Sequence, residues 1–558
     1  MLTGLNVKEE KVMKRFLSFV LVLIILSSVV LVSCNHTSVC DHNDLSKIII
    51  LESIAPSCTE SGLTQGQKCS VCDTVIVDQV VIPTLSHTFG EWILVEDDTS
   101  SYFGNEIKEC GVCGKIEIKT PSNQLSDAQF DPNEQVTITF YHTMGAELKE
   151  VLNKYIKEFE ALYPNIKIVH SQEGGYDDLR DKIKTQLIAG RQPNMAFCFP
   201  YHVATYQSVG QVIPLDQLIN HKEYGLSEEQ KDDIVEAFYD EGRKFGDGIT
   251  YTLPMAKSTE VLYYNKTFFE ENNLSVPTTW DEMEALCEQI LEIDPNCIPL
   301  GYDYEYNWFI TMCEQLGSNY TSTEAGNHIL FDNATNKAFV KRLAEWYKKG
   351  YVTTTEILCA YTSDIFVNYD YGMEKCYMSI SSSAAALYYI PQMVDGKYPF
   401  EVGIASIPQV DPNNSKVICS GPSLVMFDSG NTQENIATWL FMKYLVTNTQ
   451  FQAEYAIASK YMPVLKSAAN DPLYADFLAS ADGGDNIVAL SAKICLEQSD
   501  SYFTPSAFKG SGDVRDVVGE FLVEALRAIK TTPDAQWDAY IDQLFARYVA
   551  FCKNVIDE

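Results

Sequence analysis

The chain has 558 residues, 46% hydrophobic and 21% charged, a globular composition with apolar content for two or three cores. Against 41 Lys and Arg stand 76 Asp and Glu, a formal charge of -35. Such a field repels phosphate backbones and anionic membrane surfaces and argues against nucleic acid as a partner. Of 16 Cys, seven (34, 40, 58, 69, 72, 110, 113) fall in the first 113 residues and nine scatter through the remainder; a scattered set without close spacing is not a disulfide framework.

Lys11, Lys14 and Arg15 precede an apolar or small run from Phe16 to Val32, the layout of a secretory signal. The run ends in Leu31-Val32-Ser33-Cys34 and resembles a bacterial lipobox, which implies cleavage after residue 33 and diacylglyceryl modification of Cys34. The competing reading is an uncleaved helical anchor, since the run reaches the lower edge of a spanning length. Either reading places the chain outside the cytoplasmic membrane, and no second run of spanning length occurs downstream.

Residues 40–118 repeat themselves. One unit holds His42, Cys58 and Cys69-Ser-Val-Cys72 before the alternating Thr74-Val-Ile-Val; the other holds His87 and Cys110-Gly-Val-Cys113 before Lys115-Ile-Glu-Ile. His42, Cys58, Cys69 and Cys72 have the chemistry of a closed structural Zn2+ site. The second unit, His87, Cys110 and Cys113, is one ligand short unless Cys40 or water supplies it. The pattern resembles the zinc-ribbon-like repeats of Gram-positive surface proteins, including the phrase Ser86-His87-Thr88-Phe89-Gly90-Glu91-Trp92. Paired disulfides are the other reading. The filled first site and the lack of a recurring carboxylate speak against a catalytic zinc.

Residues 119–135 are polar, carry two prolines and show no period, which predicts a linker. Val136, Ile138 and Phe140 then alternate with polar residues as in a strand. Leu148, Leu152, Tyr155, Phe159 and Leu162 recur at helical spacing until Pro164. Ile166 to Val169 predicts a second strand, Leu179, Ile183 and Leu187 a helix closed by Gly190, and Met195 to Phe199 a third strand. Alternating strands and helices with short joints predict a parallel sheet covered on both faces, with ligands beyond the carboxyl ends of its strands.

From residue 136 on, several phrases carry a resemblance. They are Phe140-Tyr-His-Thr-Met-Gly145, Glu173-Gly-Gly-Tyr176, Leu253-Pro-Met-Ala-Lys-Ser-Thr259, Leu262-Tyr-Tyr-Asn-Lys266, Pro277-Thr-Thr-Trp280 and Tyr461-Met-Pro-Val464. Together they resemble the family 1 extracellular solute-binding proteins of ABC importers, with the glycerol-phosphate-binding pattern nearest. The resemblance covers roughly residues 136–555 and implies a type II periplasmic-binding-protein fold: two α/β lobes of a hinged clamp within residues 136–558. The local sequence suits strand crossings near 249–260 and 402–427, and residues 34–39 are left as a lipidated tether. Binding residues carried over from the resemblance are Tyr141, Asp177, Ser258, Trp308, Ser382, Gly421 and Tyr461. Their types suit a polyol or sugar: rings pack on C–H faces, carboxylate and hydroxyl oxygens fork onto hydroxyls, and glycine admits backbone N–H groups. Each also has a plainer reading, Trp308 as core, Ser382 as a strand end, Asp177 as an acid at a helix start.

The glycerol-phosphate pattern carries an Arg near the C-terminus for phosphate. No Arg falls in register here, and Lys509 is the nearest cation. This favours a neutral carbohydrate over glycerol phosphate or a glycerophosphodiester. No catalytic motif emerges: there is no His-Glu-x-x-His and no Gly-x-Ser-x-Gly. The expectation is therefore a monomeric receptor that binds without turnover, tethered to the outer membrane face by two acyl chains and serving an ABC permease. A secreted glycoside hydrolase and a zinc-binding surface interaction protein are the rival classes.

Overall fold

The structure, a computed structural model, describes residues 45–556 apart from 59–60, 84, 92, 95–105, 120–124, 209, 368–374 and 483–485. The apolar run, Cys34, Cys40 and His42 lie outside the described residues. Two compact units emerge, Met1–Ile93 with Ile107–Glu117, and Leu94–Glu106 with Ile118–Glu558. Among the described residues no helix is long and apolar enough to cross a membrane.

In the small unit, Gly66–Cys69 pairs antiparallel with both Ile48–Leu51 and Val75–Val77. The two Cys-x-x-Cys segments fold into matching knuckles. Asp73 N–H donates to Cys69 O at 3.0 Å and Gly114 N–H to Cys110 O at 2.9 Å, while Cys69 and Cys110 N–H donate to Thr74 O and Lys115 O. The turn needs a left-handed residue four places after the first cysteine; it is Asp73 (φ 55°) in one repeat and Gly114 (φ 75°) in the other.

The large unit is built on two sheets. The first has the order Ile166–Gln172, Val136–His142, Met195–Cys198, Ser423–Met426, Thr252–Pro254. Buried Val136, Ile138 and Phe140 alternate with more exposed neighbours, and Val136 to His142 run parallel to Ile166 to Gln172 in unbroken register. The helix Ala146–Leu162 buries Leu152, Tyr155, Ile156 and Phe159 and ends before Pro164. The parallel sheet inferred from these elements is in fact mixed. Ser423–Met426 enters antiparallel to Met195–Cys198, because it returns from the second sheet.

That second sheet runs Val352–Thr354, Cys297–Tyr302, Lys375–Ser382, Ser258–Asn265, Val417–Ser420, Tyr502–Phe503, with Val402–Ala405 also paired to Ser258–Asn265. The chain passes from the first sheet to the second between Pro254 and Ser258, and back between Ser420 and Ser423. Met255 N–H donates to Pro422 O at 3.0 Å where the two crossings touch. At Gly421 (φ 145°) a side chain would collide with the Ala256 carbonyl oxygen, so only glycine admits this approach. Beside it, Lys257 Nζ is wholly buried among Glu241 Oε2, Ser423 Oγ at 2.9 Å and Gly421 O at 3.1 Å.

The phrases that carried the resemblance are largely structural. Asn265 Oδ1 caps Lys266–Glu271 by accepting from Phe268 N–H at 2.9 Å. Thr279 and Glu282 form a reciprocal cap at the start of Trp280–Ile293. Tyr263 stacks on Tyr389 with centroids 3.8 Å apart.

Candidate functional site

Between the two sheets lies a cavity of about 270 Å³. Its polar wall comes from the second sheet's strand ends: Ser258 and Glu260 on one strand, Ser382 opposite Glu260 on the next, and Ser420 at the return crossing. Its aromatic walls are Tyr176 and Phe199 on the first lobe, Tyr304 and Tyr306 on the second, and Tyr461. Tyr176 and Phe199 pack with centroids 4.6 Å apart. Tyr304 opens the helix Glu305–Gln315 at φ 64°, a left-handed conformation unfavourable for a bulky side chain. That strain sets its ring, 5.9 Å from that of Tyr306, on the cavity wall.

Two charged groups face this space. Glu260 is 2% exposed, and its Oε2 accepts from Tyr302 O–H at 2.7 Å while Oε1 has no hydrogen-bond partner. Burial drives its pKa up to about 7, against the opposing pull of Tyr302, Asn307 and Arg515. Arg515 lies in the first turns of Ser511–Ala528. Its guanidinium covers Tyr306 at 4.5 Å and donates to Asn307 Oδ1. Phe199, Ser420 and Arg515 also border a smaller adjoining cavity of about 40 Å³, where buried Tyr320 Oη and Thr504 Oγ1 have no partners.

Of the seven binding residues carried over, Ser258, Ser382 and Tyr461 line the cavity and four do not. Trp308 is 0% exposed and stacked on Tyr302 in the core. Gly421 serves the crossing. Asp177 points to solvent and pairs with Arg180 at 2.9 Å. The Tyr141 ring is covered by the Lys182 ammonium at 4.7 Å. Arg515, which falls out of register with the pattern carried over, nevertheless lines the cavity. Glu260, Tyr304, Tyr306 and Asn307 were missed as well; Glu260 stands two residues beyond Ser258 on the same strand face, a signal that period-2 counting could have used.

In the small unit, one ligand atom each of Cys58, His87, Cys110 and Cys113 lies within 4.8 Å of all the others. Cys58 Sγ is 3.8 Å from Cys110 Sγ, and Cys113 Sγ is 3.3 Å from His87 Nδ1. Cys58 thus completes the second set instead of joining Cys69 and Cys72. Leu85 N–H donates to Ser57 O at 2.8 Å and Gly111 N–H to Thr88 O at 3.1 Å, two bonds that tie the Cys58, His87 and Cys110 segments together. Backbone N–H groups of Cys113 and Val112 lower the Cys110 pKa to about 6. Cys69 is buried and accepts from Val71 N–H at 3.4 Å, and the exposed Cys72 donates to Thr74 Oγ1 at 3.2 Å. None of the 14 described cysteines is in a disulfide.

Residues 154–479 match the family model of a bacterial extracellular solute-binding protein. The sn-glycerol-3-phosphate-binding periplasmic protein of Yersinia pestis is 23% identical over 450 residues, covering 78% of this chain and 96% of that one. The maltotriose-binding protein of Pyrococcus abyssi is 24% identical over 349 residues, 60% of this chain and 68% of that one. In fold, the cyclic alpha-maltosyl-1,6-maltose binding protein from Arthrobacter globiformis superimposes with a TM-score of 0.58 at 17% identity, over 75% of this chain and 99% of that one.

Proposed function

The chain belongs to the bacterial extracellular solute-binding proteins, and from that premise we propose that its cleft captures a carbohydrate and releases it unaltered to an ABC permease. The observation that carries this reading is the cavity wall itself. Tyr304, Tyr306 and Tyr461 offer flat apolar faces, while Ser258, Ser382, Asn307 and Glu260 offer convergent hydroxyl partners. Rings for C–H surfaces and forked oxygens for hydroxyls are what a sugar requires. The crossings at Ala256 and Gly421 are the short segments about which the lobes would close.

A second reading, a glycerol-3-phosphate or glycerophosphodiester receptor, is favoured by Arg515, whose planar fork suits phosphate oxygens. Calorimetry of the full chain against mono- and oligosaccharides and glycerophosphodiesters decides between them. Carbohydrate binding that stays while phosphodiesters fail supports the first; the reverse pattern discards it.

The small unit holds a structural Zn2+ through Cys58, His87, Cys110 and Cys113 in this proposal. Three thiols and an imidazole are a closed tetrahedral donor set with no open position for chemistry. Metal analysis of the purified chain should find zinc, lost when Cys58 or Cys110 becomes Ser; a metal-free chain with these sulfurs joined in disulfides would reject it. Cys34 carries the diacylglyceryl anchor, holding a monomer at the outer membrane face. Mass spectrometry of the mature N-terminus and sedimentation test both statements.

A further inference from the structure

Glu260 is held in one orientation. Its Oε2 takes the Tyr302 hydroxyl at 2.7 Å, Tyr302 is fixed by its stack on Trp308, and the Glu260 carbonyl accepts from Gln498 Nε2 at 3.0 Å. Glu260 lines the cavity, and its buried Oε1 makes no hydrogen bond of ordinary geometry, with the Asn307 side chain the one group near enough to pull on it. Glu260 is the one carboxylate among the described residues lining that cavity.

The charges around it do not balance. Asp303, just past the end of Cys297–Tyr302, two strands away in the sheet, is buried and adds a second acid, satisfied by Thr355 Oγ1 at 2.6 Å and Thr362 N–H at 3.0 Å. The facing groups are Tyr302 and Asp303 from one strand end, Tyr306 and Asn307 from the helix Glu305–Gln315, and Arg515 from Ser511–Ala528. Arg515 spends its guanidinium on the Tyr306 face and on Asn307. A neutral hydroxyl would satisfy the geometry of Oε1 and leave the buried charge. An ammonium would satisfy both, and the negative faces of Tyr304 and Tyr306 would attract it further.

Resting on the carbohydrate reading, we infer that the solute is an amine-bearing sugar whose protonated amine is received by Glu260 Oε1. The partner group also accounts for a carboxylate kept in so buried a place, where burial, opposed by Tyr302, Asn307 and Arg515, raises its pKa to about 7.

The test uses matched pairs with the full chain: glucosamine against glucose, and the β-1,4-linked glucosamine dimer against cellobiose, by calorimetry at about pH 7.5 and about pH 5. The amine member of a pair should bind at least about tenfold tighter at the higher pH. That advantage should shrink on acidification, as Glu260 protonates, and vanish in Glu260→Gln. Equal affinities within both pairs, or an advantage that survives in Glu260→Gln, overturn the amine inference and leave the carbohydrate reading standing. Binding of none of the four sugars overturns both.

Discussion

Tyr302 and Trp308 stack with ring centroids 4.5 Å apart and planes 11° from parallel. Both rings are fully buried, and Trp280 packs against Trp308 with centroids 6.3 Å apart. Trp308 therefore supports the cavity from beneath: it holds the tyrosine whose hydroxyl orients Glu260.

Trp308→Ala should accordingly act on stability. Truncating a buried Trp leaves a large void and costs about 3–5 kcal/mol. Denaturant unfolding should show that loss, and ligand affinity should fall no further than in Tyr302→Phe, which deletes only the hydroxyl. A variant with unchanged unfolding midpoint and abolished binding would instead place Trp308 against the solute.

At the crossings, Lys257 and Glu241 pair with 0% and 3% side-chain exposure. Lys257→Met would strand the Glu241 carboxylate in a dry interior, and breaking a buried pair from one side costs about 3–5 kcal/mol. Adding Glu241→Gln or Glu241→Leu should recover much of the loss. A double variant as unstable as the single one would show that the pair is dispensable as a pair and that packing alone is at stake.

The sequence read well where local period and topology coincide. The alternation of Val136, Ile138 and Phe140 specifies both the strand and its buried face, and Pro164 ends the helix before it. It read less well where tertiary pairing chooses among chemically equal residues. Nothing near Cys58 distinguishes Cys69 and Cys72 from Cys110 and Cys113; the fold ties it to the second pair, with hydrogen bonds from Leu85 to Ser57 and from Gly111 to Thr88. Trp308 lies in an aromatic run, Tyr302 to Phe309, whose members divide between core and cavity by helix phase: Tyr306 faces the cavity and Trp308 and Phe309 the core. Arg515 fell out of register with the pattern carried over from relatives, yet the helix Ser511–Ala528 delivers it to the cleft.

Arg515→Met tests what the cleft is built for. With a carbohydrate, the substitution removes the partner of Asn307 and one set of donors, and affinity should drop by roughly tenfold. A loss confined to phosphodiester ligands and exceeding about a hundredfold would identify Arg515 as a phosphate fork and favour the second reading.

Acidification should reveal a histidine relay that starts at the buried His142 and runs out to the half-buried His170. Met144 N–H donates to His142 Nδ1 at 3.1 Å, which leaves the ring proton on Nε2 for His170 Nδ1 at 2.8 Å; His170 Nε2 then donates to Asn153 Oδ1 at 3.0 Å. Both rings are neutral in this arrangement, with burial and the neighbouring ring holding the His142 pKa near 3. The unfolded chain takes up a proton at His142 below about pH 6.5 and the folded chain does not. Stability is therefore complete above that pH and falls as pH drops toward 3, by about 1.4 kcal/mol per unit. His202, fully buried and also held near 3, adds to the same slope. Glu260 acts in the opposite sense: its raised pKa lets the folded state bind a proton between about 7 and 4.5, which stabilises it on acidification over that window. Urea unfolding at pH 7, 6 and 5 should show a net decline for the wild type, a shallower one for His142→Gln and a steeper one for Glu260→Gln. Identical slopes for wild type and His142→Gln would mean that the relay takes up its proton without unfolding.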